Sequence, residues 1–253
     1  AGQLQIMVFI IARVAGMFIE TPVFSARSVP ALVKVVMAIW ISVCFWFVIP
    51  LPQGHPLPLL MMIVAIAQEV LIGFMIGFLA FIILSGVQAA GDLMDLQMGL
   101  SVATSLDPLF GTVITVMGRI AFMTAMVVFL IVNGHHMMLR ALYASFTALP
   151  IGVPIAAGPT FALNMLEAGS KMWLIAIQLS APILLLIFLS DFAFGLVSRV
   201  APQVNVFMLG FQVKPALGLI GLMLTLSLFI DHIARLVPMM AVEIGRLFVA
   251  LRS

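Results

Sequence analysis

The sequence predicts an all-α, multi-helix protein of integral membrane type, built of tilted and broken helical hairpins. Three observations carry that expectation. Of the 253 residues, 64% are apolar and only 8% charged, against about 25% charged residues in an ordinary soluble domain. The apolar residues fall in runs near the length, roughly 20 residues, that crosses a bilayer as a helix. The breaks between runs are made of proline and glycine, the residues that punctuate helices. A net charge of +2 is too small to point to nucleic acid, and the single cysteine, Cys44, leaves no intramolecular disulfide and no thiolate pair for a metal.

In chain order, the apolar runs cover about 4–20, 31–49, 59–86, 111–132, 172–198, 204–230 and 233–251, and hydropathy makes about six of them spans. The first carries Arg13 and leads into Glu20-Thr21-Pro22 without a small-residue cleavage pattern, so it reads as a helix rather than a signal peptide. Thr21-Pro22 and Val29-Pro30 bracket the break before the second run, and the proline-rich stretch 50–58 makes a rigid loop before the third. Within the third, Gly73 and Gly77 form a small-xxx-small pattern that lets a helix backbone approach a neighbour.

Next comes a polar, glycine-bearing insert, Gly91 to Pro108, which holds Asp92, Asp95 and Asp107, three of the nine acidic residues. Lipid offers no partners for its backbone groups, so it belongs at an aqueous boundary, inside protein or beside a water-filled path. Asp107-Pro108 reads as the start of the fourth helix, with Asp as cap and Pro in the first turn, and Asn133-Gly134 as a stop. The Pro- and Gly-rich stretch 149–159 divides the chain into a larger first part, about 1–159, and a helical-hairpin second part, about 160–253. In that second part Ala181-Pro182 opens an apolar run, and Pro238 predicts a kink or a restart in the last one. Asp231, His232, Arg235, Glu243, Arg246 and Ser253 project onto one helical arc, a stripe that suits a partner or a membrane surface.

Five charges stand nearly alone inside apolar runs: Arg13, Lys34, Glu69, Arg119 and Lys214. A charge at mid-bilayer costs about 2.5–3.5 kcal/mol on insertion scales. Snorkelling near a helix end serves Arg13 and Lys34 as well as pairing does. Glu69 and Arg119 sit deeper and need groups on other helices. Charges in most of the helices suit contact with protein or water on many sides better than a bundle bathed in lipid.

No catalytic constellation is present. His55 lies in a proline loop, and the neighbours His135 and His136 point about 100° apart on a helix, so they do not chelate by themselves. Ser190-Asp191 and Ser198-Arg199 lack a nucleophile elbow or a general base, and no Gly-rich loop with Lys-Ser/Thr is there to cradle phosphate. The residues therefore predict no enzyme, no cofactor and no metal. Asp92 and Asp95, one turn apart, suit a proton or cation site less well than a hydrogen-bonded helix end. The 19 methionines read mostly as adaptable packing.

Three stretches together resemble the FliR/SctT family of type III secretion export components: Arg13 to Phe18 with Pro22 to Pro30 and Lys34; Gly91 to Pro108; and Asn133-Gly134-His135 with Ser145-Phe146 and Leu149 to Gly152. Their order and spacing match that family over nearly the whole chain, and the Asn-Gly-His and Pro-Ile-Gly elements look more like its flagellar branch. The resemblance implies one non-enzymatic export-gate domain over 1–253, a FliP-like part followed by a FliQ-like hairpin whose turn and Lys214 match Gln203 to Pro215. It implies assembly with FliP and FliQ, contact with FlhB, FlhA and membrane lipid, and passage of unfolded flagellar substrates. The implied place is the bacterial cytoplasmic (inner) membrane, in the flagellar basal body.

By the same resemblance Gly99, Leu100, Ser101, Val102, Ala103, Thr104, Ser105 and Leu106 form a plug in a pore. Asp92, Asp95, Gln97, Asp107 and Pro108 then hold its ends, and Arg13, Glu69, Arg119 and Lys214 are buried or intersubunit charges. Small aliphatic side chains suit a seal that works by excluding water. The residues by themselves leave a different class open, a stand-alone secondary transporter or ion channel using Glu69, Asp92, Asp95 and Arg119. Against it, the halves of the chain show no convincing repeat.

Overall fold

A computed structural model describes residues 2–22, 24, 29–49, 58–100, 115–153, 155 and 158–252. Among these, all regular structure is helical: α1 (Gly2–Glu20), α2 (Ala31–Val48), α3 (Leu59–Met98), α4 (Val116–Ile131), α5 (Gly134–Ala148), α6 (Pro159–Val200) and α7 (Val206–Arg252). Five are long and apolar enough to cross a membrane, or up to six if α4 and α5, bent by 69° at their junction, count as one span. That junction is Asn133, left-handed at φ 58°, as the Asn-Gly signal predicts. At 40, 42 and 47 residues, α3, α6 and α7 exceed a spanning length. At 1.5 Å per residue they measure about 60–70 Å, roughly twice the hydrocarbon core. Much of each must therefore lie outside hydrocarbon or run strongly tilted.

The chain forms two compact units. The first comprises Ala1–Ile83, Phe129–Gly169 and Leu236–Ser253, and the second Leu84–Val128 and Ser170–Arg235. In the first unit, α1 lies on α3 with backbone against backbone. A methyl added to Gly16 would strike the Val70 carbonyl, one on Gly73 the Arg13 carbonyl, and one on Gly77 the Met17 carbonyl. The small-xxx-small pattern of α3 thus makes the close approach it predicts, and Gly16 supplies the matching hollow on α1. Helix α1 stops where Thr21 returns its hydroxyl to the Met17 carbonyl at 2.7 Å and Pro22 follows. In contrast α2 buries only Ala38 and Ser42 of its 18 residues and leaves Leu32, Trp40 and Phe47 more than 60% exposed. Within this chain most of its surface is uncovered, as expected of a helix that meets lipid or protein.

Three sequence boundaries are corrected. Helix α3 does not end near residue 86 but continues to Met98, so the first eight residues of the predicted insert are helical. The reason is a buried face at helical spacing: Gly91, Met94, Asp95 and Met98 are all buried, and the carboxylate on that face finds partners on α4. The last two apolar runs are one helix, α7, which passes through Pro238 without restarting. Buried Ile233, Leu236, Val237 and Met240 surround the proline, and their packing outweighs one lost hydrogen bond. Ala181-Pro182 does not open a run either, since α6 begins at Pro159 and carries Pro182 in its interior.

Helices α6 and α7 pair in each unit. In the first, Arg246 meets Glu167 at 3.0 Å and Glu243 at 3.3 Å. In the second, Lys214 meets Asp191 at 2.6 Å. Two of the six residues of the predicted polar arc on α7, Glu243 and Arg246, are therefore spent on α6 and within their own helix.

Candidate functional site

Two polar nodes stand out, one in each unit. The first is built on Arg13, which is fully buried. Its Nε donates to Glu69 on α3 at 2.5 Å, Nη1 to the Ser145 hydroxyl at 3.1 Å, and Nη2 to the Leu149 carbonyl at 2.9 Å. The guanidinium also lies over the Phe146 ring, 4.4 Å from its centroid. Leu149 is the residue at which α5 ends, so a cation meets the negative end of that helix. Glu69, 2% exposed, accepts the Gly152 N–H at 3.3 Å with its other oxygen, in a turn that Gly152 enters at φ 77°. The node fastens α1, α3, the end of α5 and the 149–152 turn to one another. Of the alternatives the sequence leaves for Arg13, pairing holds and snorkelling does not.

The second node closes the base of the predicted plug. Helix α3 ends in a Schellman turn: Gly99, at φ 78°, donates to the Leu96 carbonyl at 3.2 Å, and Leu100 to the Asp95 carbonyl at 3.2 Å. On the far side of residues 101–114, α4 begins at Val116 with Thr115 as its cap, the hydroxyl accepting the Gly118 N–H at 2.9 Å. The start of α4 is tied back to α3 by two carboxylates. Asp92 Oδ1 accepts the Thr115 hydroxyl at 2.5 Å, and Asp95 Oδ1 accepts the Met117 N–H at 3.0 Å. Asp95 is 1% exposed. All donors to these two carboxylates among the described residues are neutral, so the charge of Asp95 is balanced by the N-terminal end of α4.

Of the other predicted site residues, Ser101, Val102, Ala103, Thr104, Ser105, Leu106, Asp107 and Pro108 lie outside the described residues. Gln97 is exposed and, with Phe194, Phe207, Phe211 and Lys214, lines a groove of about 460 Å³ in the second unit. Lys214 is part-buried and paired with Asp191. Arg119, read from the sequence as a deep charge, is exposed on α4. Sequence reasoning missed Thr115, although a Thr directly before an apolar run is a cap signal; Asp107-Pro108 offered a stronger one. Ser145 and Leu149 stood out in the sequence only as residues that carry the resemblance, and nothing there marked them as partners of Arg13.

Chemically, the first node is self-neutralised and offers no free carboxylate to an ion path. The second spends one oxygen of each carboxylate on a hydroxyl and a backbone N–H. Neither holds a nucleophile paired with a base, and both are suited to fixing helices.

Comparison with known proteins agrees with this picture of a helical membrane component. Residues 4–240 match the family described as "Bacterial export proteins, family 1". The flagellar biosynthetic protein FliR of Bacillus subtilis (strain 168) is 33% identical over 97% of this chain and 94% of its own length. FliR of Escherichia coli (strain K12) is 33% identical over 93% and 85%, and the Yop proteins translocation protein T of Yersinia pestis 29% over 67% and 66%. The chain belongs to the bacterial export proteins, family 1, the FliR/SctT family, and is a component of an export apparatus.

Proposed function

We propose that this export-apparatus component is a non-enzymatic, pore-forming and pore-closing subunit of the flagellar type III export gate. In that role it conducts unfolded flagellar substrates across the cytoplasmic (inner) membrane at the flagellar basal body. The observation that carries the reading is the second node. The polar span predicted as a plug leaves α3 at Leu100 and re-enters at Thr115, and both points are tied to the last turns of the same helix. Such a span has a fixed base, which a plug requires. Its small and aliphatic residues, Leu100 to Leu106, seal by excluding water and bind an arriving polypeptide weakly.

The partners in this reading are FliP and FliQ in one hetero-oligomer, with FlhB and FlhA beside it and lipid around it. The largely uncovered surface of α2 and the lengths of α3, α6 and α7 support a chain completed by neighbours. Residues 1–159 act as the FliP-like part and 160–253 as the FliQ-like hairpin within one export-gate domain.

Deletion of Gly99–Ser105 tests the plug. Expected is a gate that still co-purifies with FliP and FliQ but lets small solutes leak across the membrane. An assembled, impermeable deletion gate refutes the pore-closing role, and a chain that purifies alone and intact refutes the assembly.

A further inference from the structure

The contact between α3 and the start of α4 has an unusual make-up. Its backbone faces are Gly91 and Gly118: a methyl on Gly91 would meet the Met117 carbonyl at 2.5 Å and Gly118 Cα at 2.6 Å. On the α4 side the space around Gly118 is filled by the side chains of Asp92 and Thr115, which can rotate, and Gly91 meets only backbone. Among the described residues the polar links across it are two, Asp92 to Thr115 and Asp95 to Met117. Beneath them Met94 and Met117 border, with Ile120, Leu222 and Phe229, a void of about 20 Å³. Unbranched thioethers beside a void can repack when a helix end shifts.

We propose that this contact is a releasable latch, in which Asp92 and Asp95 are positioning residues that hold the first turn of α4 against the last turns of α3. When the two bonds break, that turn lifts while the helices stay packed below. The two links are unequal. Asp95 is buried and bonded directly to backbone, whereas Asp92 is part-exposed and acts through the Thr115 hydroxyl. Water competes for Asp92 first, so the latch opens from the Thr115 side. Because Leu100 and Thr115 bound the span 101–114, the latch sets the separation of its ends. The permeability consequence rests on the plug reading, but the latch itself does not.

Hydrogen exchange of the full-length chain in its assembled complex tests it, read in peptides over residues 115–120 and 134–148. The double variant Asp92→Ala/Asp95→Ala is expected to exchange about tenfold faster over 115–120, as loss of a charge-assisted bond implies. Residues 134–148, in the other unit, are expected to be unchanged. Asp95→Asn keeps an oxygen for the Met117 N–H and should restore most of the protection that Asp95→Ala loses. Unchanged exchange over 115–120, equal acceleration in both peptides, or failure of the Asn variant to rescue each overturns the latch. Where the double variant does not assemble, Thr115→Val against Thr115→Ser poses the same question, protection lost in the first and kept in the second. Solute leak is measured alongside: an open latch with an impermeable membrane leaves the latch standing and refutes the plug.

Discussion

The Arg13 node and the Asp92/Asp95 node use the same kind of residue to opposite ends. Glu69 is closed on a cation, and Arg13 spends its remaining donors on a hydroxyl and a helix end. Every charge there has a charged counterpart, and removing either partner strands the other in a buried site. Asp92 and Asp95 face neutral donors, and their stabilisation is spread over separate bonds that can fail one at a time. The walls differ as well. Around Gly73 the neighbour is the backbone of α1, whereas around Gly118 it is the side chains of Asp92 and Thr115. Charge with countercharge and backbone against backbone make a junction that is whole or broken. Carboxylate with helix end and glycine against glycine make one that can yield by degrees.

The contrast can be broken at its strongest point first. Arg13→Ala should cost about 3–5 kcal/mol, the usual loss when one member of a buried pair goes, and Arg13→Met/Glu69→Met should recover most of it. Thermal unfolding in detergent reads both, and a double variant as unstable as the single one would show that the pair is not a closed unit. Next, Gly73→Ala should cost about 1–3 kcal/mol by overpacking against an immovable carbonyl. Gly118→Ala should fall at the lower end of that range, because Asp92 and Thr115 can rotate away, while exchange over 115–120 rises. Equal losses at the two glycines would erase the distinction between the walls. The smallest effect belongs to Lys214→Ala, where the pair with Asp191 is 26% and 44% exposed. About 0.2–1 kcal/mol is expected there, and a loss as large as that of Arg13 would mean the hairpin turn is held by a third node.

Much of both nodes was legible as composition and position. Arg13 and Glu69 stood out as lone charges in apolar runs, Asp92 and Asp95 as carboxylates at a helix end, and Gly73 and Gly77 as a close-packing face. Their partners were not legible. Nothing near Arg13 in sequence points to a glutamate 56 residues away, or to Ser145 at a separation of 132. Arg119 shows the converse: hydropathy gave it the same weight as Glu69, yet it is exposed on α4. A hydropathy run measures how apolar a segment is and says nothing of which face meets protein.

By itself, then, the sequence determined an all-α membrane-type chain, the order of its helices, the Asn133-Gly134 break and its family. Those follow from local terms: apolar length, turn chemistry and spaced motifs. The tertiary structure decided how far α3 and α7 run, because buried faces at Gly91 to Met98 and around Pro238 outweigh glycine, carboxylate and proline in the local balance. It also decided which charges meet. That choice depends on how closely two backbones approach, and Gly16 against Val70, Gly73 against Arg13 and Gly91 on Gly118 bring together residues the chain keeps far apart.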